Sequence, residues 1–150
     1  SIDVQGYMRY VYGEQVKPTV WHDKLRLLKH TAILKVNEHE YYSLTGLSDP
    51  HEAAEQIHDW GVREVIITLG SHGSLIFAEG NFYDIPAYTP RETVDATGCG
   101  DTYSAGYLYA HVKGAGYAES GSFAAAMCTL KLEHNGPFQH TIDDVWKMIK

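Results

Sequence analysis

Residues 64–69, Glu-Val-Ile-Ile-Thr-Leu, form a β-branched run with almost no polar alternation. A strand of that kind needs cover on both faces, and sheets covered on both faces are mostly parallel sheets with helical crossovers. Helices should therefore flank it in sequence, and the neighbouring segments supply them. Asn37 caps a helix that runs to about Thr45 and ends at Gly46. Asp49-Pro50 opens another, in which Ala53, Ala54, Ile57 and Trp60 share a face and which Gly61 stops.

The same reading extends along the chain. Residues 2–4 look like the tail of a strand, residues 7–18 like irregular backbone, residues 21–30 like a helix and residues 31–36 like a short apolar strand. Residues 74–78 and 82–88 flank the turn Glu79-Gly80-Asn81 and read as a hairpin. Helices are expected over about 102–112 and 118–133, with a short amphipathic one at 142–149. Strands alternating with helices give an α/β layered, Rossmann-like fold with a mostly parallel sheet.

Length, 150 residues, suits one domain, residues 1–150. The formal charge of −7 argues against a nucleic-acid surface, which would need a basic stripe. An acidic chain that handles phosphates has to do so locally, with backbone amides and a metal ion. The apolar runs are too short to cross a bilayer, and no charged-then-apolar leader opens the chain. Two cysteines, Cys99 and Cys128, are too few for a disulfide framework. The expectation is a cytoplasmic protein with no membrane partner.

The segment Asp95-Ala-Thr-Gly-Cys-Gly-Asp101 carries the chemistry. Its two glycines let the backbone turn tightly just before a helix, so successive N–H groups gather at the positive helix end. Gly98, Cys99 and Gly100 are the expected donors to an anion. Asp101 falls in the first helical turn, where a cap is the ordinary reading. A carboxylate set against a phosphate cradle repels its ligand, however, so it needs a compensating purpose. Accepting the proton of an attacking hydroxyl is one, and phosphoryl transfer does not require a strong base.

This segment resembles the Asp-Thr-x-Gly-Ala-Gly-Asp signature of the ribokinase-like (PfkB) carbohydrate kinases, with Ala96 and Cys99 as small departures. Thr68-Leu-Gly70-Ser71-His-Gly73 resembles that family's Thr-x-Gly-x-x-Gly nucleotide loop, and Asn37-Glu-His-Glu40 its Asn-x-x-Glu motif. Each follows a strand, where open α/β sheets bind ligands. The resemblance implies an ATP-dependent kinase that phosphorylates a hydroxyl of a polyhydroxylated, sugar-like molecule. It implies Asp101 as catalytic base and the Gly98–Gly100 amides as anion hole. Asn37, Thr68, Gly70, Ser71 and Gly73 would bind ATP, and Glu40 would hold Mg²⁺ through water. Asp95 and Thr97 take positions that in some members help hold a monovalent cation such as K⁺. Ser122, Phe123 and Ala126 either border the adenine or pack in the core.

Other signals carry less. His51-Glu52 lacks the second histidine of a zincin motif, and Gly98-x-Gly100 lacks the third glycine of a dinucleotide fingerprint. Cys99 sits where a thiol's pKa tends to fall, yet reads as a small spacer. The resemblance covers the later part of the family's fold. It implies that the earlier half, with its β lid, is absent and that the chain is a fragment. Such a piece would self-associate or pair with the missing half, since a sheet cut in mid-order leaves an apolar edge. A non-catalytic nucleotide-binding or interaction module of the same fold is the competing reading.

Overall fold

The run that demanded cover on both faces is strand β5 (Glu64–Thr68), and its Val65, Ile66 and Ile67 are buried. The computed structural model describes every residue, Ser1–Lys150. Contacts within the chain divide it into two compact units, Ser1–Leu69 with Leu75–Phe82, and Gly70–Ser74 with Tyr83–Lys150.

In the first unit, β1 (Ile2–Asp3) pairs in parallel with β4 (Ile33–Asn37), and β4 pairs in parallel with β5. Hydrogen bonding continues through β6 (Ser74–Ala78) to β7 (Asn81–Ile85), giving the order β1-β4-β5-β6-β7. Glu79 and Gly80, both at positive φ (51° and 73°), make the two-residue turn between β6 and β7. That is the primed hairpin turn whose twist matches flanking antiparallel strands. Helix α1 (Lys24–Leu28) precedes β4, while α2 (Glu38–Thr45) and α3 (Pro50–Asp59) form the crossover to β5. Gly46 ends α2 in the left-handed conformation, and the Asp49 side chain caps α3 as expected. Leu34, Val36, Val65, Ile67, Leu75 and Phe77 pack with Leu44, Ala53, Ala54 and Ile57 in one core.

Residues 7–18 depart from the irregular reading. After a 3₁₀ turn at Gln5–Met8 they form an antiparallel ribbon of β2 (Arg9–Tyr12) and β3 (Gln15–Pro18). Val11 faces Val16 in register, yet both are largely exposed. Neither face is buried, so no period-two hydrophobic pattern marks the strands in the sequence.

The second unit is helical. Helix α4 (Cys99–Val112) packs on α5 (Tyr117–Leu132), and α6 (Ile142–Ile149) packs on α5. Phe123 and Ala126 are fully buried; the Phe123 ring stacks on Tyr109 at 5.5 Å and meets Trp146 at 5.0 Å. Their place is the helical core, the packing reading of the two; Ser122 is half-buried. Gly106 brings α4 close to α5: a Cβ there would lie 3.0 Å from the Ala124 Cα and 3.1 Å from the Met127 Sδ. No helix in the structure is long and apolar enough to cross a membrane.

Gly106→Val should lower the urea midpoint of unfolding, with a loss of about 1–3 kcal/mol for overpacking. An unchanged midpoint would contradict this close approach of the two helices.

Candidate active site

In the first unit, Asn37 and Thr68 stand side by side, paired in parallel register at the C-terminal ends of β4 and β5. Asn37 caps α2: its Oδ1 accepts hydrogen bonds from the amides of His39 and Glu40, both at 3.0 Å. Glu40 returns the contact, its Oε2 accepting from the Asn37 amide at 2.9 Å. The pair is a capping box, so Asn37-x-x-Glu40 starts a helix as well as resembling a family motif. Two atoms remain for a ligand. The Asn37 side-chain amide nitrogen makes no hydrogen bond in the protein, and Glu40 Oε1 is buried without a hydrogen-bond donor. Arg9 Nη2 stands 3.9 Å from that oxygen. A buried carboxylate oxygen lacking a donor is an open acceptor. It fits a water on a divalent cation, the role the resemblance implies.

In the second unit, Gly70–His72 form a 3₁₀ turn closed by the Gly73 amide donating to the Gly70 carbonyl at 3.2 Å. Gly70 and Ser71 are exposed, and a Cβ at Gly70 would meet nothing within 4 Å. Gly73 has a different task. A Cβ there would lie 2.1 Å from the Ile85 carbonyl oxygen, and its φ is 93°. Only glycine lets the turn sit against the end of β7.

The loop before α4 holds the open donors. Gly98, with φ of 78°, is the N-cap, and no side chain caps the helix. The Cys99 amide turns back to the Ala96 carbonyl at 3.2 Å, and the first bond into the helix runs from Thr102 N–H to Gly98 O at 2.9 Å. The amides of Gly98, Gly100 and Asp101 thus have no acceptor in the protein. Of the expected trio, the Gly98 and Gly100 amides are open while that of Cys99 is engaged within the turn, and the Asp101 amide is open beside them. The helix also begins at Cys99 rather than Thr102, which places Asp101 squarely in the first turn. Its side chain is exposed and makes no hydrogen bond or ion pair, so it is not the cap. The Cys99 thiol, half-buried, is pushed up in pKa by burial, which suits a spacer and not a thiolate nucleophile.

Sequence reasoning missed Lys131. Its side chain is 1% exposed, and its Nζ donates to the Asp95 carbonyl oxygen at 2.8 Å and to Asp95 Oδ2 at 3.2 Å. The end of α5 holds the loop at further points. Val94 and Asp95 amides donate to the Leu132 carbonyl, and Glu133 Oε1 accepts from the Arg91 amide at 2.8 Å. Asp95 Oδ1 in turn accepts from the Thr97 amide at 2.9 Å. The one signal was a lysine between leucines in an apolar helix, Thr129-Leu-Lys131-Leu. The Thr97 hydrogen bonds and then Lys131 hold the Asp95 carboxyl well below the usual carboxylate range.

That shift gives a pH signature. A carboxyl depressed in the folded state contributes stability that is complete above the unfolded value, about 4, and is lost as pH falls toward the lower folded value. The stability difference between the native chain and Asp95→Asn should be largest near neutral pH and shrink steadily below about pH 4. Chemical denaturation across that range checks it; a difference independent of pH would mean that the carboxylate is not held this way.

Comparison with known proteins extends the reading. Residues 10–142 match the pfkB family of carbohydrate kinases. A cytidine kinase of Thermococcus kodakarensis is 38% identical over 95 residues, covering 61% of this chain and 34% of its own. A ribokinase of Arabidopsis thaliana is 37% identical over 134 residues, covering 83% of this chain and 35% of its own. The Arabidopsis enzyme's structure with ribose and ATP superposes with a TM-score of 0.78 at 33% identity, over 84% of this chain and 43% of that one. A pyrophosphate-dependent kinase in the ribokinase family, solved with a pyrophosphate analog and myo-inositol, superposes with a TM-score of 0.84 at 31% identity, over 97% and 52%. The chain thus spans between about a third and a half of the length of these relatives. By the matched residues and the shared fold, it belongs to the PfkB family of carbohydrate kinases.

Proposed function

We propose that this chain is the donor-binding and phosphoryl-transfer portion of a kinase acting on a hydroxyl of a sugar or sugar-like alcohol. One observation carries the proposal: the open amides of Gly98, Gly100 and Asp101 at the start of α4 accompany an exposed Asp101 carboxylate free of any structural partner. Peptide N–H groups at a helix N-terminus bind phosphate and stabilise the charge that spreads over its oxygens in the transition state. A carboxylate beside them that caps nothing is available for proton transfer, which supports the reading. Asp101 takes the proton of the acceptor hydroxyl as its oxygen bonds to phosphorus and the bond from phosphorus to the leaving phosphate breaks. Within the same unit, Gly70 and Ser71 offer their exposed turn to the donor's phosphates. In the first unit, Glu40 Oε1, beside the open Asn37 side-chain amide, would hold Mg²⁺ through a water, and that ion would supply charge neutralisation for phosphate.

The donor has two readings. ATP accompanies ribose in the Arabidopsis ribokinase structure, whereas the match of greater extent and TM-score is to the pyrophosphate-dependent kinase. The residues named above read phosphate and not a base, and Phe123 and Ala126 are buried in the helical core. ATP is the proposed donor because the Arabidopsis ribokinase, similar to this chain in both sequence and structure, was solved with it. Turnover of the full-length protein should be assayed with ATP or pyrophosphate against a panel including ribose, cytidine and myo-inositol. Activity with pyrophosphate alone would transfer the assignment to that donor. No turnover with either donor, on a broad panel of alcohols, would leave a non-catalytic binding module.

Asp101→Asn separates catalysis from binding. Turnover should fall by about 10²–10⁴, the range for positioned acid–base catalysis. Donor affinity by calorimetry should hold or rise, since a negative charge facing the phosphates is removed. Normal turnover in this variant would overturn the assignment of the base.

A further inference from the structure

The monovalent cation that the family resemblance attaches to Asp95 does not fit this chain, because a buried ammonium already stands at the oxygens it would use. Lys131 Nζ donates to the Asp95 carbonyl oxygen at 2.8 Å and to its Oδ2 at 3.2 Å, from a side chain that is 1% exposed. A free cation reaching those two oxygens would have to displace a like charge that is covalently tethered to α5. The lysine, in turn, could not leave without stranding a charge in the protein interior, a heavily unfavourable outcome. We propose that Lys131 is this kinase's built-in cation: it holds the loop that presents the Gly98, Gly100 and Asp101 amides and makes that loop independent of K⁺.

The placement argues for a positioning role and not merely for burial of a stray lysine. Asp95 begins the 95–101 loop, and its other oxygen, Oδ1, receives the Thr97 amide. Lys131 thus neutralises the carboxylate that shapes the turn leading to Gly98. Backbone bonds from Val94 and Asp95 to Leu132 keep the same helix end against the same loop. A dissolved ion would do this only in proportion to its concentration, whereas a tethered ammonium does it always. The proposal rests on the reading of this loop as the phosphate site, but its test does not require that reading.

The full-length protein should be compared in potassium, sodium and tetramethylammonium chlorides at equal ionic strength. For the native sequence, the thermal midpoint and the affinity for Mg-ATP or Mg-pyrophosphate should be the same in all three salts to within about twofold in affinity. A potassium-specific rise in midpoint, or a gain of about tenfold or more in donor affinity, overturns the proposal. Lys131→Met removes the charge at similar length. Its midpoint and donor affinity should fall, and potassium should restore both where the larger tetramethylammonium does not. A Lys131→Met protein that matches the native one in tetramethylammonium also overturns the proposal. Should that variant fail to fold, the salt comparison on the native sequence still decides. Should no donor bind, the functional reading fails, and the salt dependence of the midpoint still decides the role of Lys131.

Discussion

Helix α4 begins without a side-chain cap, and the chemistry proposed for this chain depends on that vacancy. Had Asp101 or Thr97 bonded back to the first amides, the helix would be more stable by about 1 kcal/mol, the usual worth of a cap, and the anion site would be closed. Gly98 enters the helix from the left-handed region and contributes no side chain, so the donors stay open. The cost is borne nearby. Lys131, Leu132 and Glu133 at the end of α5 fix residues 91–95 by side-chain and backbone bonds, which holds the loop where local capping does not.

The first unit uses the opposite arrangement. Asn37 and Glu40 satisfy one another in a capping box, and the atoms proposed to meet a ligand are those left over from it. Structural and functional duties thus coincide in the same two side chains. Replacing either would disturb the helix start as well as any metal, and an isosteric change such as Glu40→Gln keeps most of the first effect apart from the second. Gly73 shows a similar division within one motif. Gly70 is open to solvent, while Gly73 is required by the carbonyl of Ile85.

Much of the fold was legible, for reasons that differ by element. Strand β5 declared itself because burial on both faces leaves no room for polar alternation, and α2 and α3 declared themselves through Asn37, Gly46 and Asp49-Pro50. The ribbon of β2 and β3 was not legible, because its valines and tyrosines are exposed and no buried face imposes a pattern. The exact start of α4, Cys99 and not Thr102, was not legible either. Gly-Cys-Gly has poor helix propensity, and the start is set by the conformation of Gly98 and by packing on α5.

The sequence by itself determined the α/β class, the caps, and the three short motifs that follow strands β4 and β5 and precede α4, since all of these depend on residues within a few positions of one another. Only the tertiary structure decided that Asp101 caps nothing, that the Cys99 amide is spent within its own turn, and that Lys131 faces Asp95 from 36 residues away. Local spacing specifies what a segment can form. Whether a donor is open or a charge is matched depends on which distant groups folding brings within hydrogen-bond reach, and no spacing in the chain encodes that distance.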